Sequence, residues 1–160
     1  MALGAFSRAP RTLRRQTLYV DEFLSVARQS REGLDRLKTP RGFRDARHVV
    51  VSASLTGHAA HQMVQAVLDE ALSPRNVLLR LPSFIAAAIV AAHTDGVATL
   101  PANLARFVAD QLGLHAFRCP LPLPAIEIAQ YWHERQQRDP AHRWLRQHSF
   151  KLFARPRGRA

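Results

Sequence analysis

His58 and His61 stand one helical turn apart, a spacing that puts two imidazoles within reach of one metal ion if a third ligand comes from elsewhere. No zincin-type glutamate follows His58 and no cysteine is near, so both are read as surface or half-buried histidines and no metal is assigned. His115 and Cys119 fall on one expected strand, but a nucleophilic pair needs a base and an orienting group brought together in space. Cys119 is read as a small packed residue. The 12 acidic residues are scattered, and no paired carboxylates converge. The chain is therefore expected to have no catalytic residues and no cofactor, and not to be an enzyme. A different chemistry is carried by two turn segments. Ser52, Ser54 and Thr56 follow the run HVVV, and Pro82, Ser83 and Phe84 follow the run VLLRL. Hydroxyls at such positions, together with the unpaired N–H groups of a following helix, form a polar surface suited to an anion. Helix capping alone also accounts for Ser83.

The elements that must position those turns are legible in the periodicity. Leu18 to Ala27 reads as a strand, and His48 to Val51 as a buried parallel strand. An apolar stripe at helical spacing then runs from about His58 to Leu72, ended by Ser73 and Pro74. Val77 to Leu81 is the next strand, and Ser83 caps a helix from Phe84 to Ala92. Val97 to Leu100 is a third strand, after which Pro101 opens a helix that stops at Gly113. Strands alternating with helices imply right-handed β-α-β units, a parallel sheet and an α/β fold. Between Gln29 and Arg47, Gly33, Pro40 and Gly42 leave room for a helical turn around Leu34 and Leu37 only. Pro120, Pro122 and Pro124 mark a connector, followed by a strand within Ile126 to His133. Asp139 and Pro140 start a helix with Ala141, Trp144, Leu145 and His148 on one face, and disorder is expected beyond Phe150.

Composition bounds the rest. With 160 residues and 47% apolar content the chain can build a real core. The longest apolar run, Phe84 to Ala92, is far shorter than the roughly 20 residues that span a bilayer. Met1 to Pro10 has no signal-like apolar region, so no membrane association and a cytoplasmic location are expected. Net charge is +11, yet of the 23 basic residues only Lys38 and Lys151 are lysines, a bias that genome composition produces as readily as phosphate binding does. Leu104 to Leu114 looks like the start of a helix-turn-helix. The second helix of such a motif would have to cross Pro120, Pro122 and Pro124, which forbids it.

Three blocks carry a family likeness: VLLRLPSF at Val77 to Phe84, TDGVATLPANLA at Thr94 to Ala105, and WHERQQRDPAHRWLR at Trp132 to Arg146. The chain resembles the C-terminal effector-binding domain of LysR-type transcriptional regulators. Fainter likeness extends back through LDEAL, HVVVS and LYVDEFLSVAR, though the His-Pro pair usual after the last is absent. The resemblance implies a type II periplasmic-binding-protein-like fold, with one lobe of parallel β-α-β units and a second, incomplete lobe. Residues 28–119 would form the fuller lobe, and residues 17–27 and 120–150 the remnant of the other. Residues 1–16 and 151–160 are expected to be disordered basic tails. The helix-turn-helix of the family is not in this sequence, which is therefore read as truncated.

Carried over by motif, the effector-binding residues are Ser52, Ser54, Pro82, Ser83, Phe84, Leu100 and Pro101. Their hydroxyls would meet the polar groups of a small carboxylate or aromatic acid, and Phe84 its apolar part. The resemblance thus implies an effector-sensing and dimerisation module that binds an organic acid weakly and does not bind DNA specifically. Self-association is expected, because the strands of the incomplete lobe would lack neighbours. The alternative is a small Arg-rich protein binding nucleic acid non-specifically.

Overall fold

The structure, a computed structural model, describes residues 1–6, 10, 12–52 and 59–154. Eight strands and five α-helices occur among them. They fall into two compact units, with the chain passing from one to the other at Asp21/Glu22 and back at Pro124/Ala125, apart from Ala59 and Ala60, which group with the first. The expected boundaries lay six and five residues away, after residues 27 and 119.

The larger unit holds β3 (Phe23–Arg28), α1 (Pro40–Asp45), β4 (His48–Val51), α2 (Ala59–Ala71), β5 (Val77–Leu81), α3 (Phe84–His93), β6 (Val97–Pro101), α4 (Ala102–Leu112) and β7 (Leu114–Arg118). Its five strands form one sheet in the order β5-β4-β6-β3-β7. β4 runs parallel to both β5 and β6, while β3 is antiparallel to β6 and β7. The sheet is therefore mixed, because β3 enters from the other unit against the direction of the β-α-β units. β4 is buried at all four positions, as a β-branched run flanked by strands on both sides should be. The core joins Val26, Val49, Val51, Ala98 and Leu100 of the sheet to Ala87, Ala88 and Ala91 of α3 and Ala105, Val108 and Ala109 of α4. The alanines let both helices lie close on the strands. Gly113 adopts φ 61° and caps α4, its N–H donating to the carbonyl of Ala109.

One corner of this unit departs from expectation. A 3-10 turn (Leu34–Lys38) forms where a helical turn was expected, but α1 follows it directly. Pro40 opens this helix and does not break it: it sits at the first helical position, where a missing N–H costs nothing, and the Thr39 hydroxyl accepts from the Gly42 amide. Gly42 is needed for a second reason. A Cβ there would lie 2.1 Å from the backbone oxygen of Arg36. Gly42→Ala must therefore push the 3-10 turn away from α1, and a loss of about 1–3 kcal/mol is expected from urea unfolding. A variant as stable as the parent would show that the two turns do not abut.

The smaller unit is the antiparallel sheet β1-β8-β2, made of β1 (Ala2–Gly4), β2 (Leu13–Asp21) and β8 (Ile126–His133), with α5 (Pro140–Phe153). Residues 1–16, expected as a disordered tail, thus supply β1 and the start of β2. Backbone pairing with β8 accounts for that difference, and surface ion pairs reinforce it. Arg14 pairs with Glu134, and Arg15 and Thr17 both bond Glu127, so arginines read as solvated are held by acids more than a hundred residues away. β8 is consequently paired on both sides, and the expectation that it lacks neighbours does not hold. Asp139 accepts from the His142 amide and Pro140 opens α5, as expected, but the helix continues past Phe150 to Phe153. Its buried residues are Arg146 and Ser149, whereas Trp144 is 59% exposed. Arg146 displaces the expected stripe because its guanidinium lies 4.7 Å over the Trp132 ring and donates to the carbonyls of Gln136 and Gln137.

Candidate functional site

The parallel pairing of β4 with β5 brings their carboxyl ends side by side, and with them two of the turns singled out from the sequence. Ser52 leaves β4 with its amide donating to the carbonyl of Leu81, the last residue of β5, at 2.9 Å. Ser83, in extended conformation, caps α3, its hydroxyl oxygen accepting from the Ala86 amide at 3.3 Å. A hydroxyl used in this way still has its own proton to donate, so capping and ligand binding are compatible. Phe84, the first residue of α3, is half-buried. Ser54 and Thr56 lie outside the described residues, as does His58.

His61, in the first turn of α2, belongs to this cluster although the sequence marked it only as half of a metal-spacing pair. Its ring centroid is 4.7 Å from that of Phe84, and its Nε2–H donates to the carbonyl of Val51 at 3.1 Å. The two rings, tilted by 35°, present an aromatic surface where β4 and β5 end, His61 held at Val51 and Phe84 next in sequence to Ser83. Only the spacing of His61 from HVVV hints at this in the sequence, since the contact joins two helices through their shared strands.

The third expected pair separates. Pro101 is half-buried at the end of β6, on the other flank of β4. Leu100 is fully buried within the hydrophobic core. Alternation along the strand turns it away from ligands, so it supports the site without lining it. His115 stacks on Phe117 at 6.1 Å, and burial pushes the Cys119 thiol upward, which keeps it protonated and a poor nucleophile. No group of three or more His, Cys, Asp or Glu residues suited to a metal occurs among the described residues. Among them also, no helix is long and apolar enough to cross a membrane.

Comparison with known proteins matches residues 1–153 to the LysR substrate binding domain model. This chain belongs to the LysR substrate-binding domain family. Among curated LysR-type relatives, the HTH-type transcriptional regulator LinR of Sphingobium indicum is 33% identical over 154 residues, covering 96% of this chain and 50% of that protein. The HTH-type transcriptional activator NagR of a Ralstonia species is 30% identical over 96% of this chain and 50% of its own length. The chain thus spans about half the length of these relatives. They are transcriptional regulators, not enzymes. Among solved structures, a probable transcriptional regulator from Pseudomonas aeruginosa superposes with a TM-score of 0.75 at 29% identity, covering 95% of this chain and 49% of that one. The regulatory domain of MexT, a transcriptional activator in the same species, gives a TM-score of 0.67 at 25% identity, over 94% of this chain and 70% of that domain. The type II periplasmic-binding-protein-like α/β fold follows from these matches.

Proposed function

We propose that this chain is the effector-sensing region of a LysR-type regulator and that it binds a small organic acid at the turns after β4 and β5. The observation that carries this reading is the convergence of Ser52, Ser83, Phe84 and His61 at the carboxyl ends of two adjacent parallel strands. The hydroxyls and the α3 N-terminus suit a carboxylate, and the tilted His61 and Phe84 rings suit a flat apolar body. Ser54, Pro82 and Pro101 complete the proposed set, and Leu100 acts from behind it. Self-association and a cytoplasmic place belong to the same proposal, as does the absence of sequence-specific DNA reading by these residues. Family membership favours it over non-specific binding of nucleic acid, as does the engagement of Arg14, Arg15, Arg28 and Arg80 with carboxylates of the chain.

The described residues of this unit give a ligand one wall, so affinity for the 160-residue chain is expected in the millimolar range, on the order of 4 kcal/mol. Benzoate, followed by amide shifts of Ser52 and Ser83 in nuclear magnetic resonance titrations, is a suitable probe. Phe84→Leu keeps the bulk and removes the ring, and should weaken that binding several-fold. Ser83→Ala should weaken it too and also cost about 1 kcal/mol of stability through the lost cap. Benzoate affinity indifferent to both substitutions would place effector binding elsewhere.

A further inference from the structure

A cavity of about 600 Å³ opens in the smaller unit between α5 and the strands β2 and β8. Its helical wall is the run Arg143, Arg146, Gln147, Phe150 and Lys151, spaced i, i+3, i+4, i+7 and i+8 on one face of α5. A helix face turned towards a sheet is ordinarily apolar. Here it carries three cations, while Trp144, Leu145, Leu152 and Phe153 are exposed. Among the described residues none of the three cations has a carboxylate partner within 4.0 Å, although Arg15, across the cavity, pairs with Glu127. Arg146 is the anomaly. It is only 6% exposed, yet its charge is met by two backbone carbonyls, at 3.3 and 3.0 Å, and by the face of Trp132. Those two bonds use two of its five N–H donors. No nitrogen of Arg146 is both buried and unpaired, so its remaining donors are open to a ligand, and a guanidinium without an anion beside like charges on the same face is destabilised. An anion in the cavity offsets that cost.

We propose that this cavity is a second anion site, separate from the turns of the larger unit, for a small organic acid. Its carboxylate meets Arg146, Arg143 and Lys151, and its apolar body lies on Phe150, which is 40% exposed. The volume falls in the range of small-molecule sites, and Gln16 and Gln137 add polar partners at the rim. Trp132 reports on occupancy, because its indole N–H donates to Gln137 Oε1 at 2.7 Å beside Arg146.

The test is a titration of the 160-residue chain with benzoate, observing the Trp132 indole N–H resonance. A saturable shift is expected. The double variant Arg143→Ala/Lys151→Ala changes only exposed side chains and should weaken that response about tenfold. Phe84→Leu, in the other unit, should leave it unchanged. Arg146→Gln is a second variant with the same expected direction. No saturable shift, or a shift that survives the double variant, overturns the proposal while leaving the site after β4 and β5 untouched. A shift abolished by Phe84→Leu also overturns it, since one site would then explain both readouts. Inorganic phosphate matching benzoate in affinity would overturn the assignment to organic acids and leave a simple anion sink.

Discussion

Truncation of Phe43 to alanine is expected to cost about 3–5 kcal/mol, which is a large part of the stability of a domain this size. Phe43 is fully buried in α1, where Leu37 of the preceding 3-10 turn is also buried, and its ring sits 4.6 Å from that of His48 at the start of β4. Removing the ring leaves a cavity in the corner that joins the irregular segment to the central sheet. Rigid β4 on one side limits how far that corner can collapse. Urea unfolding monitored by circular dichroism should show a lower midpoint at unchanged slope, with Phe43→Leu losing less. A loss below about 1 kcal/mol would mean that the corner closes over the gap. The substitution should also leave benzoate binding at the distant turns after β4 and β5 nearly unchanged wherever the chain remains folded.

Acid should destabilise the same corner through His48. Its side chain is 2% exposed and its Nε2–H donates to the Phe43 carbonyl at 2.6 Å. Burial is the largest cause of its lowered pKa, and Arg31 adds to it, against the hydrogen bond to Phe43; together they bring it from 6.5 to about 4. The folded state therefore keeps the ring neutral where the unfolded chain is already protonated. Between pH 6.5 and 4 the unfolded state binds more protons, so stability falls as pH falls, by about 1.4 kcal/mol per unit. The full contribution is present above pH 6.5, and about 3 kcal/mol is lost once pH 4 is reached. Unfolding free energies measured from pH 7 to pH 4 for the parent and for His48→Gln, which keeps a neutral donor, should diverge in that sense. Parallel curves for the two proteins would show that His48 is not the titrating group, and so would a His48 ring resonance that titrates near 6.5.

Both effects arise in a part of the chain that touches no proposed ligand, which separates the stability of the larger unit from its recognition chemistry. The turns after β4 and β5 depend on that stability only through the strands beneath them. The cavity of the smaller unit depends on a different set of contacts, chiefly Arg146 against Trp132 and the anchoring of Arg15 by Glu127. The two proposed anion sites, on two units, give two independent readouts, and substitutions in one should leave the other intact.

What the sequence determined by itself was whatever local chemistry decides. β4 and β5 fall within the stretches expected, because β-branched and leucine-rich runs bounded by Ser and Pro have few alternatives. Ser83, Gly113 and the Asp139–Pro140 pair mark helix ends through hydrogen bonds and backbone angles that involve only nearby residues. The family likeness rested on the same local blocks. What needed a distant partner was not legible. Arg14 and Arg15 read as a basic tail until β8 arrives from the far end of the chain, pairs with their backbone and sets Glu134 and Glu127 beside them. Pro40 and Gly42 read as breakers, although one opens α1 and the other makes room for the Arg36 carbonyl. Trp144 has the hydrophobicity of a core residue, yet Arg146 takes the buried face because Trp132 and two carbonyls are waiting there. The same holds for His61, which meets Phe84 only once β4 and β5 have paired. Caps and periodicity are set by chemistry within a few residues, whereas burial of a charge or stacking of two rings depends on which surface the fold brings opposite.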